Sequence, residues 1–315
     1  MDRFLLVPTR PALWKFYQKQ QAALWTAQEI DTKRDAQEYE ALTQPERRFI
    51  GNVLAFFAAA DGIVTENLGV RFLRECHIPE ARAFWAVQGY IETVHAETYA
   101  LLLTSTVRQK DELDRLLHAA ERIPSVQAKA AWSLSWIEDA SKPFPEVLVA
   151  FAVVEGIMFS SSFCAIYWFK KRGLLPGITK SNEFIARDEG LHADFACALF
   201  KELGGTGVVS EARVHEILRG GTELEEAFVR DSLPLALLGM NADSMVEYVR
   251  FVANRLCREL GVAELWPGAR CTFEFMDLIS MDAKDNFFET RPTTYQAAYS
   301  GNNTRAVEFT TDDDF

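Results

Sequence analysis

The stretch that decides the fold is VLVAFAVVEGIMFSSSFCAIYWF, residues 147–169, in which Glu155 is the only Asp, Glu, Lys, Arg or His. A helix of this length and polarity either spans a membrane or lies at the centre of a large helical protein. The central carboxylate, the serines after it and the lack of a second comparable run favour a buried bundle helix and no membrane. Because burying an unpaired carboxylate costs on the order of several kcal/mol, the sequence predicts a neutralising partner for Glu155.

Composition limits the classes of protein to which the chain can belong. The 315 residues are 49% hydrophobic, enough for one large core or two smaller ones. The net charge of −12, without a basic run, argues against a nucleic-acid partner, because phosphate binding needs clustered Lys and Arg. The five cysteines form no CxxC pair, which is typical of reduced thiols in the cytosol. The first residues lack the pattern of a signal peptide, so we expect a cytoplasmic protein.

Helical periodicity covers nearly the whole chain, and no run of alternating strand residues occurs. A long apolar helix follows Pro145 and stops near Gly173, and Thr179 to Ser181 cap the next helix, which ends at Gly204. The other predicted helices cover about residues 45–68, 79–103, 124–140, 209–219, 222–238 and 241–260. Because the loops between them are short, sequential helices should pack as neighbours in an all-α bundle.

The composition changes near the C-terminus. We expect one helical domain over residues 1–300 and a flexible tail over residues 301–315, GNNTRAVEFTTDDDF, which is polar and acidic. The terminal Phe315 behind three aspartates would suit a docking peptide.

Two of the five histidines follow a glutamate at the spacing Glu-x-x-His, in the pairs Glu92–His95 and Glu189–His192. Positions i and i+3 share one face of a helix, so each pair presents a carboxylate and an imidazole to the same point. This spacing is suggestive of a metal site, although Glu92 taken singly could equally be a solvated charge on a helix surface.

Two further carboxylates, Asp61 in AFFAAADGIV and Glu155, lie within apolar helical segments, where a solvated charge is an unsatisfactory explanation. Four helices then offer ligands in the order Asp, Glu-x-x-His, Glu, Glu-x-x-His. Ferritin-like bundles with a buried di-metal carboxylate site have this arrangement, with Glu where Asp61 stands. Four carboxylates balance the charge of two divalent ions, and carboxylate with imidazole suits iron or manganese.

The residues at this point resemble a known family, the small, radical-generating subunit of class I ribonucleotide reductase, particularly its eukaryotic-like branch. The resemblance runs from about residue 12 to residue 315. It implies the small subunit of a ribonucleoside-diphosphate reductase with a ferritin-like fold. The stretches that carry it are LWTAQEIDTKRD, VLAFFAAADGIVTENL, ETVHAETY, VAFAVVEGIMFSSSF, KKRGLLPGITKSNEFIARDEGLHADFAC, LLGMNADSM and NFFE.

The resemblance implies a ligand set for two iron ions, which an oxide bridges after reaction with dioxygen. Asp61, Glu92 and His95 would bind one ion. Glu155, Glu189 and His192 would bind the other, with Glu92 and Glu189 bridging.

The resemblance also implies a radical site at Tyr99, one turn beyond His95. Phe159, Phe163 and Ile185 would form the hydrophobic pocket that protects this radical from water and reductants. Phe159 and Phe163 follow Glu155 by one and two turns of the apolar helix.

A path for the oxidising equivalent is implied as well. Asp188 would link Trp25 to His95 by hydrogen bonds, and Tyr295 would carry the equivalent across the interface with the large subunit. Glu289 matches a tail glutamate of the family less closely. The partners implied are the large subunit, bound through the C-terminal tail, a second copy of this chain, dioxygen and an electron donor.

Alternatives remain open. A family branch with Glu and Phe at the positions of Asp61 and Tyr99 uses a manganese–iron centre, so the residues here favour two irons. A ferritin-like ferroxidase or iron-storage protein would share the ligands but would not need Trp25, Asp188 or Tyr295. A di-iron oxidase or monooxygenase would need a substrate cavity beside the metals. No Gly-rich phosphate loop precedes a helix, so we expect the nucleotide to bind the partner.

Overall fold

The computed structural model describes residues 6–118, 122–232 and 240–276, with the side chains at 59, 61, 63 and 232 outside this description. Single turns of 3₁₀-helix lie at Ala27–Glu29 and Gly205–Gly207, one α-turn at Leu73–Glu75, and π-helical turns at Leu68–Phe72 and Val154–Met158. The longer helices are α1 Pro11–Ala22, α2 Asp35–Ala41, α3 Gln44–Asn67, α4 Pro79–Thr106, α5 Lys110–Leu117, α6 Pro124–Glu138, α7 Phe144–Val153, α8 Ser160–Lys171, α9 Pro176–Glu202, α10 Glu211–Ser232 and α11 Ala242–Leu260.

The helices that carry the predicted metal ligands form the centre of the fold. Helix α4 packs against α3 and α9, and α9 also packs against α7 and α8. Helices α9, α10 and α11 all pack against the π-turn Val154–Met158. The predicted all-α bundle is therefore confirmed over the described residues. The predicted boundary between residues 300 and 301 lies outside them.

The apolar segment Phe144–Lys171 is long and apolar enough to cross a membrane, but 89% of its most apolar window is buried inside the fold. It is therefore a core helix, as predicted. It is not the regular helix that the sequence analysis assumed, because the π-turn Val154–Met158 separates α7 from α8. A π-turn adds a residue to one helical turn and rotates the side chains that follow.

The start of α9 differs from the prediction that Thr179 to Ser181 cap it. The helix begins at Pro176, and the buried carboxylate of Asp35 accepts hydrogen bonds from the N–H groups of Gly177 (3.0 Å) and Ile178 (2.8 Å). This carboxylate from α2 satisfies N–H groups that have no partner within the helix. Thr179 therefore lies inside the helix and donates to the carbonyl of Pro176.

Helix α10 replaces the two helices predicted over residues 209–219 and 222–238. Gly220 and Gly221, which separate the two predicted ranges, both lie inside Glu211–Ser232. A Cβ atom on Gly221 would lie 2.1 Å from Val153 Cγ1. The glycine therefore permits close packing of α10 on α7 rather than ending a helix. Residues 233–239 lie outside the described part of the chain.

Candidate metal centre

Four of the predicted ligands meet inside the bundle. Glu92 of α4, Glu155 of the π-turn, and Glu189 and His192 of α9 each offer one ligand atom, and these atoms lie within 4.8 Å of one another. All four residues are buried, with at most 2% of their surface exposed. The helices thus bring together side chains that are up to a hundred positions apart in the sequence.

The two Glu-x-x-His pairs face each other. His95 Nδ1 lies 3.3 Å from Glu92 Oε2 and 3.0 Å from Glu189 Oε1. His192 Nδ1 lies 3.1 Å from Glu92 Oε1 and 2.9 Å from Glu189 Oε2. Each of these carboxylates therefore contacts both imidazoles through different oxygens, which is the arrangement that a carboxylate bridging two metal ions needs.

Asp61, the sixth predicted ligand, lies on α3, but its side chain is outside the described ones. Its assignment as a ligand stays a prediction.

Hydrogen bonds on the far side of the imidazoles fix the ring orientations. Asp188 Oδ2 lies 3.3 Å from His95 Nε2 and accepts a 2.7 Å hydrogen bond from Trp25 Nε1. The side-chain amide of Gln20 lies 2.9 Å from His192 Nε2. In both rings the outer nitrogen is occupied and Nδ1 faces the carboxylates. This is the way a histidine is held when its other nitrogen binds a metal ion.

Gln88 is a residue of the site that the sequence analysis missed. Its buried amide donates 3.1 Å hydrogen bonds to Glu92 Oε1 and to Glu155 Oε1. It lies one turn before Glu92 on α4, so the i, i+4 spacing was the available signal. By linking α4 to the π-turn, Gln88 orients two carboxylates from different segments.

The charges of the cluster are strongly coupled. Burial lowers the pKa of His192, but the negative charges of Glu92 and Glu189 outweigh it and raise that pKa to about 9. Burial likewise opposes a charged His95, yet the hydrogen bonds with Asp188, Glu189 and Glu92 raise its pKa well above the usual range. Burial raises the pKa of Glu189, but the hydrogen bond with Glu155 and the charge of His192 hold it well below the usual range. Without metal, both imidazoles are therefore protonated counter-ions at neutral pH.

The donor set fits two divalent cations. Among the described side chains, Glu92 and Glu189 pair with imidazoles and not with lysine or arginine, and Glu155 adds a further carboxylate to the same space. Without metal, the carboxylates are neutralised only while the two imidazoles carry their extra protons. Metal ions can replace those protons, and carboxylate with imidazole ligands suits iron or manganese.

Tyr99 is buried on α4, one turn beyond His95, with 2% of its surface exposed. The ring of Phe57 from α3 stacks on it, with centroids 4.9 Å apart and an interplanar angle of 13°. Phe159 and Phe163 stack in turn on Phe57, at 5.6 Å and 5.1 Å. The predicted pocket of Phe159 and Phe163 around a radical at Tyr99 stays a prediction. Phe57, which the sequence analysis missed, makes the stacking contact with Tyr99. Its position one turn before Asp61 was the only signal.

Ile185, the third predicted pocket residue, is buried on α9. Tyr295 and Glu289 lie outside the described residues, as does the tail over residues 301–315, so their roles stay predictions.

Comparisons with known proteins identify the family of this chain. The family described as "Ribonucleotide reductase, small chain" matches residues 3–272. The chain is 51% identical to the ribonucleoside-diphosphate reductase small chain of Nicotiana tabacum, over 100% of this chain and 96% of that protein. It is 46% identical to the ribonucleoside-diphosphate reductase subunit M2 of Rattus norvegicus, over 99% of this chain and 80% of that protein.

Among solved structures, the ribonucleotide reductase Rnr4 homodimer from Saccharomyces cerevisiae is similar with a TM-score of 0.79 and 29% identity, over 90% of this chain and 89% of that chain. The chain therefore belongs to the ribonucleotide reductase small-chain family. It is the small subunit of a ribonucleoside-diphosphate reductase, and the predicted ferritin-like bundle is confirmed.

Metal binding should release protons, since the raised pKa values of His95 and His192 keep both rings protonated without metal and a ligand imidazole must be neutral. At pH 7 we expect at least about two protons released per chain when two Mn(II) ions bind, and an apparent affinity that falls as the pH is lowered. Titration of metal-free protein in weak buffer with an indicator dye measures this. Tight Mn(II) binding without proton release would contradict the protonated state of the imidazoles in the metal-free protein.

Proposed function

We propose that this chain binds two iron ions at the cluster and uses them with dioxygen to generate a radical on Tyr99. This oxidising equivalent would start the reaction in the large subunit, where a separate reductant supplies the two electrons that convert a ribonucleoside diphosphate to the deoxyribonucleotide. The observation that carries the proposal is the pair of facing Glu-x-x-His motifs, with Glu155 beside them, one helical turn from a buried tyrosine.

The ions would be held by Glu92, Glu155, Glu189, His95 and His192, with Asp61 as the sixth ligand. When bound, the iron pair supplies the one-electron oxidant for Tyr99 from its reaction with dioxygen. Aspartate at position 61 and tyrosine at position 99 favour two irons over a manganese–iron pair.

The surroundings of Tyr99 suit a long-lived radical. Phe57 covers one face of the ring, and Phe159 and Phe163 extend the same aromatic layer. These apolar rings exclude water and reductants from the phenol. The protein thus isolates the oxidised residue while keeping it within one turn of the ligand His95.

A hydrogen-bonded connection joins the cluster to the buried Trp25. Asp188 Oδ2 accepts from Trp25 Nε1 at 2.7 Å and lies 3.3 Å from His95 Nε2. Although burial raises it, the hydrogen bond with His95 and the charge of Arg187 hold the pKa of Asp188 below its usual range. Asp188 therefore stays ionised and holds the indole proton of Trp25, as a path for electron transfer between Trp25 and the cluster would require.

The remaining steps involve other molecules. Tyr295 would pass the oxidising equivalent to the large subunit, which the tail over residues 301–315 would dock, and the large subunit would bind the nucleotide. An electron donor would supply the reducing equivalents for assembly of the centre. We also propose a homodimer, as in the yeast Rnr4 structure, and a cytoplasmic location.

Tyr99→Phe should abolish the tyrosyl radical while leaving metal binding intact, because only the phenol oxygen is removed from a buried ring. The measurement is electron paramagnetic resonance after aerobic iron reconstitution, with iron content determined in parallel. Tyr167→Phe, a change at another buried tyrosine on α8, is the matched control and should retain the radical. A wild-type protein that binds two irons yet gives no tyrosyl signal would refute the radical role and leave the metal site standing.

Removal of the residues from Val307 onward should abolish reductase activity with the cognate large subunit, because the docking peptide is lost. Iron content and the radical signal of the isolated chain should stay unchanged, which controls for folding. Unaltered activity of the shortened chain would show that the tail does not dock the partner.

A further inference from the structure

A buried ion pair lies beside the cluster but contributes no ligand to it. Lys129 of α6 and Glu225 of α10 have side chains 1% and 0% exposed, and Lys129 Nζ lies 2.5 Å from Glu225 Oε2. Burying two charges is costly unless each also finds further polar partners. The other groups that hydrogen-bond with Lys129 and Glu225 therefore indicate the structural role of this ion pair.

Both partners are backbone groups of the segment that carries Glu155. Lys129 Nζ donates a 2.6 Å hydrogen bond to the carbonyl of Met158, the last residue of the π-turn. The N–H of Ser161, in the first turn of α8, donates a 3.1 Å hydrogen bond to Glu225 Oε1. The ion pair thus spans the junction between the π-turn and α8.

The hydrogen bonds from Lys129 and to Glu225 are needed because the helix is interrupted at this junction. A π-turn interrupts the regular ladder of helical hydrogen bonds, and the first N–H groups of a new helix have no partner within it. Buried backbone groups must then be satisfied by side chains or water. Lys129 supplies a donor on one side of the junction, and Glu225 supplies a carboxylate acceptor at the N-terminus of α8.

We propose that Lys129 and Glu225 are positioning residues that hold the π-turn Val154–Met158 in place, so that Glu155 enters the metal cluster. This inference rests on the two-metal site proposed above and names two residues that determine its geometry.

The packing of α10 supports the proposal independently. Gly221 lies one turn before Glu225, and a Cβ atom there would lie 2.1 Å from Val153 Cγ1 and 3.4 Å from Met158 Cε. Helix α10 therefore approaches both ends of the π-turn closely. On the other side, a Cβ on Gly156 would be in ordinary contact with Ala193 at 3.5 Å and Leu256 at 3.6 Å. The π-turn is held between α10 and the pair α9 and α11.

The ammonium group also contacts the aromatic layer that reaches Tyr99. Lys129 Nζ lies 3.4 Å from the ring centroid of Phe56 and 4.2 Å from that of Phe228. The ring of Phe56 packs on Phe159, with centroids 5.5 Å apart. Lys129 thus donates to the last residue of the metal-binding turn and contacts Phe56, the ring that packs on Phe159.

The test uses a variant pair that removes the positioning bond without leaving a buried charge. In Lys129→Met/Glu225→Gln, residue 225 keeps an oxygen for the Ser161 N–H, but the hydrogen bond from Lys129 to the Met158 carbonyl is lost. Glu225→Gln alone keeps the Lys129 donor. Lys129→Gln is a second variant, whose shorter side chain falls short of the carbonyl and which also leaves the buried Glu225 carboxylate without its cation.

Arg71→Met is the matched control. Arg71 is a buried cation that donates to the carbonyls of Trp136, Asp139 and Lys142, none of which adjoins a predicted ligand. It should lower the thermal unfolding midpoint and leave metal binding unchanged.

The measurement is an anaerobic titration of metal-free protein with Mn(II). The electron paramagnetic resonance signal of the free Mn(II) reports how much has bound. The double variant and Lys129→Gln should weaken one of the two Mn(II) sites by at least about tenfold, the size typical of lost supporting contacts around metal ligands. Glu225→Gln should keep both sites. If the double variant or Lys129→Gln binds Mn(II) at both sites with affinities within about twofold of the wild type, the inference is overturned. If the wild type binds fewer than two Mn(II) ions, the proposed function is overturned instead.

Discussion

The constraint on which the rest of the structure depends is the burial of three carboxylates in one small space. Glu92, Glu155 and Glu189 are at most 2% exposed, and their ligand atoms lie within 4.8 Å of one another and of His192. Like charges so close in a low-dielectric interior repel strongly and can all ionise only beside cations. Protonated imidazoles meet part of this need without metal. Two metal ions would meet it fully, and the surrounding hydrogen bonds keep the ligands ready for them.

The centre of this site could be predicted from the sequence because its signals are local. A lone carboxylate at position 155 in an apolar helix is anomalous whatever surrounds it. Glu-x-x-His spacing places two donors on one helical face without knowledge of the fold. The structure indeed brings Glu92, His95, Glu155, Glu189 and His192 together. The link from Trp25 through Asp188 to His95 was predicted from the resemblance of whole motifs to a family and not from helical periodicity.

The supporting residues could not be predicted because ordinary local sequence surrounds them. Lys129 in QAKAAW and Glu225 in TELEEA look like solvated helix charges, and only the packing of α6 on α10 buries them. The π-turn could not be predicted because the pattern of polar and apolar residues does not specify the hydrogen-bond register within an apolar helix. The same limit explains Gly221, which permits close packing inside a helix, and Thr179, which a carboxylate from another helix displaces as a cap.

The central claim is that the buried charge of this cluster is neutralised by two metal ions. Anomalous diffraction from crystals of the iron-loaded protein, measured at the iron absorption edge, tests it most directly. We expect two iron peaks roughly 3.5–4 Å apart, beside the carboxylates of Glu92, Glu155 and Glu189 and the Nδ1 atoms of His95 and His192. A single peak, or no peak within the cluster, would contradict it.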